Sequence, residues 1–219
     1  MRSLAYLILL AVLVLSSCEE TFESTVSQKE TEFQPLAIGN FWIYEVDQTI
    51  HFGENDSETE QFFYRDRIRS FYLNAESEPV YIVERAKSYN QASWVTELEY
   101  TLHQKENLII RTVQNQPTVI LNLPVSDGKV WNGNAFRASP DDEFELEIST
   151  PELIRINQEN LDDKITVRDI RYEVFQKEVG LIEKFEDVIT YCSRNDCLGQ
   201  ELIDGGYRVH LTLKEYGKN

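Results

Sequence analysis

The stretch GYRVHLTLKEY, Gly206 to Tyr216, sets His210, Thr212 and Lys214 against Leu211 and Leu213. Polar and apolar side chains alternate with a period of two, the pattern of a strand with one face on a core and the other in water. Tyr81 and Val83 against Ile82 and Glu84 follow the same pattern. From Phe41 onward, runs rich in Val, Ile, Tyr, Phe and Thr recur at 41–50, 60–73, 79–88, 93–103, 107–114, 117–123, 143–149, 164–175, 180–191 and 206–216. Turn-forming clusters such as Gly53-Glu54-Asn55-Asp56, Asn74-Ala75-Glu76, Ser126-Asp127-Gly128-Lys129 and Asp204-Gly205-Gly206 separate them. This rhythm predicts an all-β, mainly antiparallel fold, either a curved sheet closing toward a barrel or a two-sheet sandwich. A short helix over 151–160 is the one helical element expected.

An internal echo points to two related β halves. Pro35-Leu36-Ala37-Ile38-Gly39-Asn40-Phe41-Trp42 and Pro124-Val125-Ser126-Asp127-Gly128-Lys129-Val130-Trp131 share the spacing P-[LV]-x-x-G-[NK]-x-W. Proline fixes the approach and glycine supplies a positive φ. Tryptophan buries a large ring where a strand meets the core.

The chain opens on Arg2, then twelve apolar residues from Leu4 to Leu15, then Ser16-Ser17-Cys18-Glu19-Glu20. This reads as a lipoprotein export signal, residues 1–17, with the Cys18 thiol as acyl acceptor. The apolar stretch falls short of the roughly 20 residues a membrane span needs. Residues 18–34, acidic and without apolar periodicity, read as a flexible tether, and 35–219 as one β-rich domain. Glu19 after the cysteine favours the outer membrane, with the domain on its periplasmic or external side. Loss of Arg2 with the leader takes the formal charge from −17 to −18. That charge makes a nucleic-acid partner unfavourable; the expected partners are the membrane, through the lipid, and an envelope protein or glycan.

The sequence of a Pro35–Tyr44 opening, a Pro124–Asn134 segment, Arg171-Tyr172-Glu173-Val174-Phe175 with Val179-Gly180-Leu181-Ile182, and a closing Leu213-Lys214-Glu215-Tyr216-Gly217 resembles a family of Bacteroidetes outer-membrane lipoproteins. Their pattern runs P-L-x-x-G-N-x-W-x-Y, P-L-x-x-G-x-x-W-x-G-N, R-Y-E-V-Y-x-x-x-V-G-L-I and L-x-x-Y-G. Val125 replaces leucine and Phe175 replaces tyrosine here. The resemblance implies a β-rich, lipidated envelope protein and carries over no catalytic residues.

Cys192 and Cys197 form a C-x4-C pair, which in an exported chain reads as a disulfide stapling a turn. His51, His103 and His210 show no metal-ligand spacing, and the Asp141-Asp142-Glu143 and Asp162-Asp163 clusters lack that of a calcium loop. No nucleophile elbow, phosphate loop or dinucleotide fingerprint stands in the chain, so no catalytic residue, metal or cofactor is assigned. Most of the aromatics belong to the core, while Tyr64, Tyr72, Tyr89 and Trp94 are the candidate platform for a glycan or peptide. The leading expectation is a non-catalytic, lipid-anchored binding module of the envelope. The alternatives are a hydrolase of envelope or extracellular polymers, with carboxylates brought together by folding, and a lipid or lipoprotein carrier.

Overall fold

The computed structural model describes residues 32–53 and 56–219; the expected leader, Cys18 and most of the expected tether lie outside them. The described residues form one 12-stranded antiparallel sheet. The strands are β1 (Asn40–Gly53), β2 (Asp56–Leu73), β3 (Pro79–Ser88), β4 (Val95–Lys105), β5 (Leu108–Val113), β6 (Gln116–Asn122), β7 (Lys129–Asn132), β8 (Glu143–Thr150), β9 (Leu153–Asp162), β10 (Val167–Gln176), β11 (Gly180–Tyr191) and β12 (Ile203–Lys218). Their order is β6-β5-β4-β3-β2-β1-β12-β11-β10-β9-β8-β7, so every neighbour is consecutive in sequence except β1 beside β12. The sheet is therefore an up-and-down meander rolled into a nearly closed barrel, and the sandwich alternative does not form.

The seam lies between β6 and β7. There Val119 N–H donates to the Gly133 carbonyl at 2.9 Å, and the Trp131 indole N–H donates to the Val119 carbonyl at 2.9 Å. The Trp42 indole makes the matching contact at the other motif, donating to the Val179 carbonyl at 2.6 Å. Both tryptophans are buried third residues of their strands, and the preceding Gly39 and Gly128 have φ of 90° and 70°. The conformations expected from the echo are thus present at both places.

Residues 151–160 are not helical. They hold the turn into β9 and most of that strand, because Ile154, Ile156 and Gln158 alternate inward and two β-branched side chains favour the pleat. β7, only four residues long, is anchored by Trp131, whose ring packs edge-on against Phe144 with centroids 6.1 Å apart. The core is a belt of apolar side chains drawn from nearly all strands, including Trp42, Val46, Ile68, Leu102, Ile109, Leu121, Phe144, Leu146, Ile156, Phe175 and Leu211. Phe33, ahead of Pro35, is part of it. The opposite positions of β1 and β2 mix Phe41, Ile43 and Phe63 with Glu45, Asp47, Arg65 and Arg67.

Candidate functional site

The inside of the barrel is read from one contact. Arg111 on β5 and Glu173 on β10 are far apart in the sheet, yet Arg111 donates from both terminal nitrogens to the two Glu173 oxygens. They can meet only across the lumen. Glu173 is fully buried, and Lys184 Nζ stands 3.8 Å from its Oε1. A second locked pair lies on the wall beside it: Arg85 donates from Nε and a terminal nitrogen to Asp66 at 2.7 and 2.6 Å, and the Tyr100 hydroxyl donates to Asp66 Oδ2 at 2.9 Å. The Arg85 guanidinium lies over the Tyr64 ring, 4.6 Å from its centroid. Burying charge is costly unless every charge is paired and hydrogen-bonded, and this layer meets that condition.

The electrostatics follow. Burial alone would push the Glu173 carboxyl up, but the Arg111 and Lys184 charges hold it below the ordinary value. Burial opposes the charged form of Arg85 and Arg111, and their carboxylate partners nevertheless raise both. Tyr44 and Tyr100 are pushed up, chiefly by burial and then by Asp66. Glu173, Arg85, Arg111, Tyr44 and Tyr100 are each pushed further toward the protonation state they ordinarily hold at neutral pH, which suits a brace rather than a proton carrier.

Above the brace the lumen opens. Glu173, Lys184, Leu211, Val46 and Phe62 are register partners in one cross-strand row. Two residues further along each strand, on the same face, run Arg171, Glu186, Val209, Gln48 and Glu60, with Glu159 beside Arg171. The next row is Leu161, Asp169, Val188, Tyr207, Ile50 and Glu58. These inward positions are open to solvent: Leu161 is 45 % exposed, Tyr207 37 % and Ile50 38 %. Arg171 Nε donates to Asp169 at 2.6 Å and a terminal nitrogen to Asp142 at 3.3 Å, while Lys184 pairs with Glu186 at 2.9 Å. The result is a mouth whose upper row sets Leu161, Val188, Tyr207 and Ile50 beside Asp169 and Glu58, over a half-buried charged middle and a locked floor.

The four aromatics expected to form a platform do not come together. Tyr64 faces inward beneath Arg85, and burial followed by a hydrogen bond to Glu97 pushes its phenol up. Trp94 lies under the Arg65 guanidinium at 4.8 Å and donates to the Gln91 carbonyl at 3.0 Å. Tyr89 is 63 % exposed and lines a pocket of about 340 Å³ at the β3–β4 loop with Lys87, Ser88, Asn90, Ser93 and Glu97. Tyr72 lies eight residues from Tyr64 on β2, about 26 Å away along the strand, and lines a separate outer pocket with Ile82, Thr101 and Thr112. Tyr89 is therefore the one member placed near the mouth in a pocket.

Cys192 and Cys197 are disulfide-bonded, with Cα atoms 5.8 Å apart, in the loop from β11 to β12. His103 on β4 and His210 on β12 bind Glu78 and Glu183 at 2.9 and 3.0 Å, and His51 on β1 pairs with Gly206, four residues along β12 from His210. Among the described residues, no group of three His, Cys, Asp or Glu side chains is arranged to hold a metal. Asp141 accepts from Asn132, and Asp163 accepts three backbone N–H groups of its own turn. The brace residues Asp66, Arg85, Arg111 and Glu173 did not emerge from the sequence. A usable signal was present: Arg111 stands two residues from both Ile109 and Val113, and Asp66 two from Tyr64 and Ile68, so each charge lies on the apolar parity of its strand.

No family model matches the chain, and no curated protein matches it. Two solved structures are similar in part. One is a Bacteroides fragilis protein named as exported and as having a YmcC-like fold, with TM-score 0.43 and 10 % identity over 85 % of this chain and 99 % of that one. The other is a Parabacteroides distasonis protein named as a lipoprotein, with TM-score 0.45 and 9 % identity over 84 % of this chain and 98 % of that one. Likeness of this size carries no functional argument.

Proposed function

We propose that this is a lipid-anchored cell-envelope protein, acylated at Cys18 and held at the outer membrane, whose barrel mouth binds a ligand or a partner protein without catalysing a reaction. The carrying observation is the concave face in which Leu161, Tyr207 and Ile50 stand open above a fully paired charged floor. Binding faces combine exposed apolar surface with a few fixed polar groups, and Arg171, Glu186 and Glu60 supply the latter. A hydrolase acid needs a carboxyl with a raised pKa, whereas Glu173, the buried carboxyl of the floor, is held low by Arg111 and Lys184. An acyl-chain carrier needs an empty apolar lumen, but here Trp42, Phe144, Phe175 and the Arg111–Glu173 brace fill it.

The anchor is tested by palmitate labelling: the unsubstituted chain should incorporate label and Cys18→Ala should not. The mouth is tested with a Tyr207→Trp reporter titrated with soluble oligosaccharides, muropeptides and peptides. A saturable emission change abolished by Ile50→Arg supports the reading. A change that persists in Ile50→Arg, or cleavage of the probe, refutes it.

A further inference from the structure

We infer that the end of the barrel opposite the mouth rests on the lipid surface and lays the last residues of β2, Phe71-Tyr72-Leu73, against the membrane interface, with the polar Asn74–Glu78 turn beyond them at headgroup level. This rests on the lipid-anchor reading, and the observations that carry it are independent of the mouth. Phe71, Tyr72 and Leu73 are 43, 50 and 46 % exposed, the one run of three consecutive exposed large apolar side chains among the described residues. Successive side chains of a strand point to opposite faces, so burial in a sheet normally covers at least one of them. Phe71 rests on Tyr81, yet both faces stay partly open here because the hairpin outruns β1. β1 pairs with β2 from Phe41 opposite Arg67, and Gly39 N–H meets the Ile68 carbonyl, so β2 continues about 17 Å beyond the last β1 contact. Ile38 and Tyr216, 48 and 56 % exposed, stand at the same end.

The position of the chain's entry selects lipid as the occupant. Glu32 is held at this end, its carbonyl accepting from Glu178 N–H and its carboxylate pairing with Lys177 at 3.0 Å. From Cys18 to Glu32 is 14 residues, a reach of at most about 50 Å fully extended. β1, with 14 residues, is about 46 Å long, and at the usual barrel tilt the wall it forms is about 35 Å tall. An acylated Cys18 can seat the near end on the membrane with slack to spare, whereas bringing the mouth down would spend about two thirds of the fully extended tether alongside the barrel. Aromatic rings with one polar edge, as in Tyr72, favour the headgroup level. The occupant is thus a lipid surface bound through apolar and aromatic contact, which does not require anionic headgroups.

The test uses the full acylated chain in phosphatidylcholine vesicles, with an environment-sensitive fluorophore on Tyr72→Cys and, separately, on Phe52→Cys at the mouth. The expected result is blue-shifted emission from the Tyr72→Cys label, quenched by lipids brominated near the headgroup, with solvent-like emission from the Phe52→Cys label. A chain that floats with vesicles while its Tyr72→Cys label stays solvent-like overturns the inference and leaves the anchor intact. A chain that fails to float, or floats equally as Cys18→Ala, overturns the anchor reading itself. A Tyr72→Cys label already shielded without vesicles, in a concentration-dependent way, overturns the inference in favour of contact between copies of the chain. Phe71→Asp with Leu73→Asp should leave flotation unchanged and return the Tyr72→Cys label to solvent-like emission.

Discussion

Replacing Glu173 by glutamine removes one charge from the floor of the mouth while keeping its size. Glu173 has no solvent exposure, and it receives both terminal nitrogens of Arg111 and the nearby Lys184 ammonium. Glu173→Gln leaves the Arg111 guanidinium, 16 % exposed, without its counter-charge. Breaking a buried pair from one side costs about 3–5 kcal/mol, whereas replacing both partners by apolar groups of similar volume is near neutral or stabilising. Glu173→Gln should therefore lower the melting temperature by about 6–20 °C in a domain of this size. Arg111→Met with Glu173→Leu should recover most of that loss.

The pH dependence fixes the sign. The folded carboxyl is held below its unfolded value, so its contribution is complete above about pH 5 and is lost as pH falls through the folded value. The wild-type and Glu173→Gln stability curves, measured by urea unfolding, should be furthest apart near neutrality and converge in acid. Glu78, Asp162 and Asp163 are lowered too, so both proteins keep an acid limb and the difference between the curves is the readout. A Glu173→Gln cost under about 1 kcal/mol at pH 7, or a double variant no better than the single one, would refute the brace.

Trp131→Ala should cost roughly 3–5 kcal/mol by chemical denaturation, and Trp131→Phe should retain much of the packing yet speed amide exchange at Val119, whose carbonyl loses the indole donor. Cys192→Ser with Cys197→Ser should cost about 2 kcal/mol or less and quicken exchange across 192–202, because a bridge between residues five apart closes a small loop. Gly206→Ala should abolish soluble folding or cost several times more than Gly128→Ala. Both have positive φ, but a Cβ at Gly206 would stand 2.3 Å from the Val188 carbonyl oxygen, whereas at Gly128 it meets nothing within 4 Å. Gly128→Ala should cost about 1–2 kcal/mol, the left-handed penalty alone.

The antiparallel order was readable because strand and turn chemistry alternate so regularly, as between Asn74 and Glu78, where the Asn74 side chain accepts two backbone N–H groups. β9 was missed because Pro151 resembles the first residue of a helix and Asn157 to Asn160 blur the alternation of Ile154 and Ile156. Which parity faces inward was hidden where aromatics fall on both, as in Phe62-Phe63-Tyr64. That ambiguity separated Tyr64 from Tyr72 and Tyr89 only once the register was known. The brace was hidden for another reason: Arg111 and Glu173 are 62 residues apart, and no local pattern encodes the curvature that makes them face each other.

The brace also answers a problem of size. An eight-stranded barrel is about as wide as its own side chains can fill, and twelve strands enclose more. Aromatics close the lower lumen here, with Trp42, Phe144 and Phe175 buried in it. Higher up, a long guanidinium and a carboxylate meet end to end, bridging a span that two aliphatic side chains cover with less directional hold. Paired across the lumen, they fix the distance between β5 and β10 without filling the space above them. The rows carrying Arg171 and Tyr207 therefore stay open over a rigid base. Arg111→Met with Glu173→Leu should therefore retain stability but broaden the mouth. The Tyr207→Trp reporter should then show weaker, less selective responses in that background than in the native one, and identical responses would confine the brace to stability.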